Sequence, residues 1–277
     1  MESERRQRLY RAEAVIIKRR DFGEADRLVT CFTREHGKLT LLAKGVRKIT
    51  SRKAGHVELF THARLLVAKG RTWDIITQAE CIQPFLPLRE DLGRTGYAYY
   101  AAELLDLLTQ EQDPNPELFD LFLETLDRLG RAEEPRLPMR YFELHAMGLA
   151  GFQPELFVCL SCQQPIRPTQ NYFHVGRGGV LCDACGPAAN GARLISLPAL
   201  KVLRYMQTRP YAELEFLRLR PAVHAELEEV LFQYLTYMLE RAPKSVQFLR
   251  LVRERVNHGA APTGTAGETR GETTPKE

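Results

Sequence analysis

The chain has 277 residues, of which 44% are hydrophobic and 27% charged, with a formal net charge of +4, so it is long enough for one or two hydrophobic cores. No apolar run approaches the roughly 18 residues of a membrane span, and the charged N-terminus lacks the apolar segment of a secretory signal. These features argue against an integral membrane protein and lead us to expect a cytoplasmic one, in which cysteine thiols stay reduced.

Residues 10–81 are rich in short apolar and β-branched runs separated by turns. The predicted strands are Ala12–Arg19, Arg27–Thr33, Lys38–Ala43, Val57–Ala68 and Trp73–Cys81. No helical period interrupts these runs. Five short strands in this space favour an OB-fold over residues 1–82, with an SH3-like barrel as the alternative.

This front part of the chain is basic. Residues 1–80 hold 18 Lys and Arg against 10 Asp and Glu, which leaves 21 against 25 for the remainder, and residues 44–56, here called the basic loop, carry no carboxylate. We predict that the barrel contacts nucleic acid through phosphates, with Phe60 and Trp73 as aromatics that stack on bases. The predicted contact residues are Lys38, Lys44, Arg47, Lys48, Arg52, Lys53, Arg71 and Trp73. The alternatives are a solvated loop kept soluble by its charge and a core role for Trp73.

Three acidic residues and two cysteines of the barrel region do not require a catalytic role. Asp21, Glu24 and Asp26 resemble the carboxylates of a metal-dependent nuclease, but they lie between arginines, so local ion pairs in a turn explain them. Cys31 and Cys81 have apolar, strand-like neighbours, which indicates core packing. The chain has no nucleophile elbow, P-loop or H-E-x-x-H motif, so we expect no catalysis.

After residue 83 the apolar period becomes helical. The predicted helices are Arg94–Gln110, a stretch from Leu118 to Leu129 ended by Gly130, Pro138–Ala150, Leu197–Gln207 and Ala222–Arg241. We expect one helical domain from residues 83–155 and 191–256, because the broad apolar face of the last helix must pack on the earlier ones. Residues 257–277 lack large apolar side chains and are predicted to be a disordered tail.

Two Cys-x-x-Cys motifs, Cys159–Cys162 and Cys182–Cys185, lie between these helical stretches. Each motif turns two sulfurs toward one point, and a β-hairpin between the motifs predicts a four-thiolate zinc site. Disulfides, a thioredoxin-type redox pair and His174 as a substitute ligand are less favoured alternatives. Four thiolates close the tetrahedron, so we expect one structural zinc ion in a module at 156–190, inserted in the helical domain.

Six short segments, in their order and spacing, resemble the RecO family of bacterial recombination mediators. The segments are Glu13–Arg27, Thr33–Lys38, Lys44–Arg47, Gly151–Pro154, Gly178–Cys182 and Lys244–Leu249. The resemblance implies an α+β multidomain protein with an N-terminal OB-fold, a helical domain carrying the zinc module, and no catalytic turnover. It further implies a nucleoid-associated DNA repair and recombination protein that binds single- and double-stranded DNA and anneals complementary strands. Its implied partners are RecR and single-strand-binding protein, with RecA loaded on the coated strands.

Two functions from other classes stay open on the residues alone. The first is a protein-interaction scaffold with a peptide-binding barrel and a structural zinc. The second is a metal-dependent nuclease that uses Asp21, Glu24 and Asp26. Because some members of the resembled family lack the four cysteines, the zinc prediction rests on this chain's own motif.

Overall fold

The computed structural model describes residues 8–259, with side chains as far as Val252. Residues 1–7 and 260–277 lie outside the described part, and with them most of the predicted tail at 257–277. The strands in the described part are β1 (Leu9–Phe22), β2 (Asp26–Thr33), β3 (Gly37–Ala43), β4 (His62–Ala68), β5 (Asp74–Gln83), β6 (Asn171–His174), β7 (Gly179–Leu181) and β8 (Ala192–Ile195).

The first five strands form a closed barrel with the neighbour order β1-β2-β3-β5-β4. β4 pairs back to β1, and the short contact between β3 and β5 is parallel, whereas the other pairs are antiparallel. The prediction of a five-stranded OB-fold is confirmed. β4 begins at His62 and not at Val57, because Ala54–Val57 form a 3₁₀ turn that places Val57 in the barrel interior.

The middle of β1 is apolar on both faces, and each face contacts a different part of the molecule. Ala14 and Ile16 lie in the barrel interior together with Cys31. Val15 and Ile17 belong instead to the core that the barrel shares with the helices. Because successive side chains of a strand point to opposite faces, burial of both faces explains the uninterrupted apolar run.

The helical domain follows the barrel. Its helices are α1 (Pro87–Glu90), α2 (Leu92–Leu108), α3 (Pro116–Arg131), α4 (Arg136–Leu149), α5 (Leu197–Thr208), α6 (Tyr211–Leu214), α7 (Pro221–Met238) and α8 (Ser245–Gly259). The side chains of Asp91, Asn115 and Ser196 accept backbone N–H groups at the starts of α2, α3 and α5, which accounts for where these helices begin. Among the helices within residues 8–259, none combines the length and hydropathy that crossing a bilayer requires.

The sequence did not predict α8. Glu103 of α2 holds its start, because the carboxylate accepts the N–H groups of Lys244 at 2.9 Å and Ser245 at 2.7 Å. The helix extends to Gly259, so residues 257–259, which were assigned to the tail, are helical.

A small antiparallel sheet of order β7-β6-β8 lies between α4 and α5 in the chain. It packs on α7, where the ring centroids of Phe173 and Tyr234 are 5.8 Å apart. The Tyr234 hydroxyl donates to the carbonyl of Phe152 at 3.1 Å. This sheet belongs to the predicted inserted module, but its strand Ala192–Ile195 lies beyond the predicted end at residue 190.

Candidate metal centre and nucleic-acid interface

The four cysteines of the two motifs converge. Their Sγ atoms all lie within 4.8 Å of one another, and those of Cys162 and Cys182 are 3.8 Å apart. A tetrahedron with metal–sulfur bonds of about 2.3 Å has edges of about 3.8 Å, so this donor set fits one tetrahedral metal ion. Among the side chains that the structure describes, within residues 8–252, it is the only group of three or more His, Cys, Asp or Glu with metal-binding geometry.

Backbone N–H groups and shared protons surround the sulfurs. Burial opposes ionisation of Cys159, but N–H donors, among them that of Cys182 at 3.4 Å, bring its pKa down to about 6. A hydrogen bond with the neighbouring Cys182 thiol raises the pKa of Cys185 to about 12. A cation that binds all four sulfurs replaces the thiol protons, as in other thiolate metal sites, while the backbone N–H groups keep their protons.

His174 is not part of this cluster. Its Nδ1 accepts the backbone N–H of Arg177 at 3.2 Å, in the short turn that joins β6 to β7. The turn closes at Gly178, which adopts φ +70°. His174 therefore shapes the hairpin, and the four cysteines are the donor set.

The predicted DNA-contact residues fall into different environments. Lys44, Lys48, Arg52 and Arg71 are exposed. Arg47 is exposed, but its guanidinium contacts the β1–β2 turn, because Nη1 donates to the carbonyl of Gly23 at 3.3 Å. Lys53 turns to the barrel and donates to the carbonyl of Ile76 at 2.8 Å, and burial lowers its pKa.

Two residues predicted to contact nucleic acid join the barrel to the helical domain instead. The Lys38 ammonium donates to the backbone and side chain of Asp106 at 2.7 and 2.9 Å and to the carbonyl of Thr109 at 2.8 Å. Its side chain is only 12% exposed, so it does not belong to an accessible basic surface. Phe60 is 1% exposed and packs edge-on against Tyr99, so it is a core residue.

The three carboxylates of the first turn serve separate purposes. Asp21 accepts from Arg27 at 3.0 Å, and this hydrogen bond lowers the pKa of the Asp21 carboxyl. Asp26 accepts the backbone N–H of Gly45 at 2.7 Å and so fixes the first turn of the basic loop. Glu24 is exposed. The expected ion pairs are therefore formed by Asp21, whereas Asp26 makes a backbone contact, and the three carboxylates do not form a metal-binding group.

The barrel register assembles a surface that the sequence reasoning missed. We call it the outer face, and its exposed or partly exposed residues are Lys18, Arg20, Phe22, Thr30, Thr40 and Trp73, whereas Leu28 and Leu42 on the same side of the strands are buried. Arg20 pairs with Leu28, and Leu28 pairs with Leu42. The alternate residues Val29 and Leu41 lie in the barrel interior, so the outer-face residues point away from it.

Two aromatic rings meet on the outer face. The centroids of Phe22 and Trp73 are 5.0 Å apart with an interplanar angle of 73°, an edge-to-face contact. Phe22 is 38% exposed, and Lys18 and Arg20 are exposed beside it on β1. The signal in the sequence was the placement of Lys18, Arg20 and Phe22 at every second position of a strand.

The fold and the four-cysteine cluster define a class: OB-barrel proteins with a helical domain that carries an inserted four-cysteine module. The family model described as "Recombination protein O N terminal" matches residues 7–85, and "Recombination protein O C terminal" matches residues 89–247. The chain therefore belongs to the RecO family, as its six segments indicated.

Individual relatives agree with this assignment over most of their length. The chain is 42% identical to the DNA repair protein RecO of Roseiflexus sp. (strain RS-1) over 265 residues, which cover 96% of this chain and 93% of the relative. It is 38% identical to the DNA repair protein RecO of Pelotomaculum thermopropionicum over 258 residues, 93% of this chain and 98% of the relative. The matches span the barrel and the helical domain, including the sheet inserted between α4 and α5.

Proposed function

We propose that this protein is a non-catalytic DNA-binding mediator of recombination in DNA repair, and that the outer face and the basic loop form its DNA interface. The observation that carries the proposal is the Phe22–Trp73 pair, in which Phe22 follows the exposed Lys18 and Arg20 along β1 and Trp73 follows the exposed Arg71 in the turn before β5. Aromatic rings flanked by cations are the usual platform for unpaired bases and their phosphates.

The geometry supports two kinds of DNA contact, one made by cations and one by aromatic rings. Exposed Lys and Arg side chains neutralise phosphates, which provides affinity without sequence preference. Each base stacked on the aromatic pair adds ~1–3 kcal/mol. Neutralising two strands lowers their mutual repulsion, so complementary bases can pair, and this is how we infer that the protein anneals DNA.

Zinc is the metal we propose for the four cysteines. Four thiolates with this spacing suit a closed tetrahedral site, so Cys159, Cys162, Cys182 and Cys185 hold the ion and the ion stabilises the fold of the module. A closed site leaves no position for substrate, which supports a structural and not a catalytic ion.

RecR and single-strand-binding protein are the partners we propose, with RecA loaded on single-stranded DNA as the outcome. Membership of the RecO family supports this set, and so do the relatives, whose names describe DNA repair proteins. Double-stranded DNA is included because phosphate contacts do not require unpaired bases. A cytoplasmic, nucleoid-associated location follows from the same role.

A salt titration of fluorescent DNA tests the interface. Lys48→Glu with Arg52→Glu should weaken binding to single strands and make the log–log salt slope shallower by about 1.4, since each phosphate contributes about 0.7. Lys201→Glu with Arg241→Glu, a matched charge reversal on exposed residues of the helical domain, should change the slope little. An equal response of the two double variants would refute this interface.

A second pair of measurements separates stacking from charge. Trp73→Ala should weaken single-strand binding by ~1–3 kcal/mol while the salt slope stays the same. Annealing of complementary oligonucleotides should slow in both the charge and the aromatic variants. Binding that does not respond to salt, together with no annealing, would favour the peptide-binding scaffold instead.

A further inference from the structure

One isoleucine of the basic loop stands fully in solvent. Ile49 has a relative exposure of 105%, the highest among the exposed large apolar side chains of the described residues. Isolated apolar side chains on a protein surface are common, so exposure alone argues for nothing. A function of Ile49 is indicated by the anchoring of its loop, the charges beside it and its position next to the outer face.

The loop presents Ile49 on a fixed support. Its base is tied to the β1–β2 turn, because the Arg47 N–H donates to the carbonyl of Ala25 at 2.9 Å. Val46 is 1% exposed and lies in the barrel interior. Beyond it, the Lys48 N–H donates to Gly45 at 3.2 Å, and a second turn follows. These hydrogen bonds and the buried Val46 fix the base of the loop, and Ile49 lies in the second turn with its side chain in solvent.

Charge and position relate the tip to the DNA interface. Lys48 and Arg52 lie on either side of Ile49 in the chain and are exposed, and residues 44–56 contain no carboxylate. The β1–β2 turn that anchors the loop begins directly after Phe22, so the tip and the outer face share one support. An apolar side chain between cations is the arrangement by which proteins insert wedges between stacked bases.

A membrane surface is the other partner for a basic loop with an apolar tip. Binding to a bilayer interface depends on buried apolar area, which one isoleucine supplies poorly, whereas a wedge between bases needs only one side chain. The continuity with the Phe22–Trp73 pair also favours nucleic acid.

We propose that Ile49 is a wedge that inserts between adjacent bases of bound DNA and opens one base step, so that a base can leave its stack and reach the outer face. The inference rests on the proposed DNA interface. The stacked bases come either from a single strand or from the end of a duplex, and the chemistry of the contact is the same for both.

The test uses 2-aminopurine, whose fluorescence rises when it leaves the base stack. The probe is placed in a single-stranded oligonucleotide in one arm and in the last base pair of a duplex with an overhang in the other. The wild-type protein should raise the signal in at least one arm. Ile49→Ser should abolish the rise and weaken binding to that DNA by about two- to tenfold. Ile49→Leu, which keeps an apolar side chain of the same size, should keep both the fluorescence rise and the affinity for DNA.

Ile82→Ser is the matched control, since Ile82 is another exposed isoleucine of the barrel, at 43% exposure, and lies on β5. It should leave the signal unchanged, and neither serine variant should lower the melting temperature. A fluorescence rise that Ile49→Ser preserves, or that Ile82→Ser also removes, overturns the wedge. If the wild-type protein binds neither DNA at any salt concentration, the proposed function itself fails.

Discussion

At the scale of single residues, the second cysteine motif depends on a position without a side chain. A Cβ at Gly186 would lie 2.0 Å from Cδ2 of the Tyr172 ring, and β7 and β8 hold Tyr172 from both sides. Gly186→Ala should therefore displace the motif, weaken metal binding and destabilise the protein by about 1–3 kcal/mol. Competition with a chromophoric chelator and thermal unfolding measure the two effects.

Gly55→Ala provides the control, because a Cβ at Gly55 meets no atom within 4 Å. This variant should keep both metal affinity and melting temperature. If the two alanine variants behave alike, the close approach of Gly186 to Tyr172 has no role in the metal centre.

Cys31 shows how burial controls the chemistry of a residue. Burial raises the pKa of its thiol to about 12. Because the thiolate is the reactive form, Cys31 should react very slowly in the native protein. Iodoacetamide should therefore modify the partly exposed Cys81 in the native protein and reach Cys31 only after unfolding in urea. Peptide mass spectrometry over time provides the measurement, and rapid native labelling of Cys31 would contradict its burial.

Residues differ in how far sequence alone can predict them. The four cysteines were predictable because each Cys-x-x-Cys turn is local and its spacing determines its geometry. Lys38 was not, since its acceptors on Asp106 and Thr109 come from a helix end in the other domain. The Phe22–Trp73 contact escaped prediction for a related reason. It depends on the register of strands that only the closed barrel establishes.

At the scale of elements, the uninterrupted run Val15-Ile16-Ile17 predicted a strand but not what the side of the strand that points away from the barrel interior would contact. Alternation places Ile16 in the barrel and its two neighbours against the helices. The sequence therefore carries a sign of burial on both faces, because no polar residue alternates with the apolar ones in this run. The helix α8 was missed because its start depends on Glu103, a carboxylate more than a hundred residues earlier.

The inserted sheet is the element whose stability we expect to depend on the metal. Its four sulfurs join the segment before β6 to the segment after β7, and its apolar face packs on Tyr234 of α7. Removal of the ion with a chelator should raise hydrogen exchange in residues 155–195 and, more weakly, around Tyr234. Exchange in β1–β5 should stay unchanged, and so should the affinity for single-stranded DNA.

Readdition of zinc should reverse the change, which separates metal loss from irreversible oxidation of the thiols. If DNA binding disappears with the metal while the barrel keeps its protection, the inserted sheet has a direct part in DNA binding. That result would extend the DNA interface beyond the outer face and the basic loop.

At the scale of the whole molecule, the barrel and the helical domain share one core. Phe32 of β2 packs in the same cluster as the helices, close to Phe119 of α3. Around this apolar contact, Arg34 pairs with Asp120, and Lys38 is almost enclosed by acceptors of the α2 end. A shared core flanked by polar contacts, of which those of Lys38 are largely buried, couples the two parts more tightly than a flexible linker does.

We therefore expect the two parts to unfold together. The chain has a single tryptophan, Trp73, which reports on the barrel, whereas circular dichroism at 222 nm reports mainly on the helices. In urea the two signals should show one coincident transition. Lys38→Met should lower the free energy of unfolding by about 1.5–3 kcal/mol, since it removes hydrogen bonds made by a largely buried charge. Both signals should therefore change at the same lower urea concentration. A tryptophan transition that precedes the loss of helix would mean that the barrel folds independently of the helical domain.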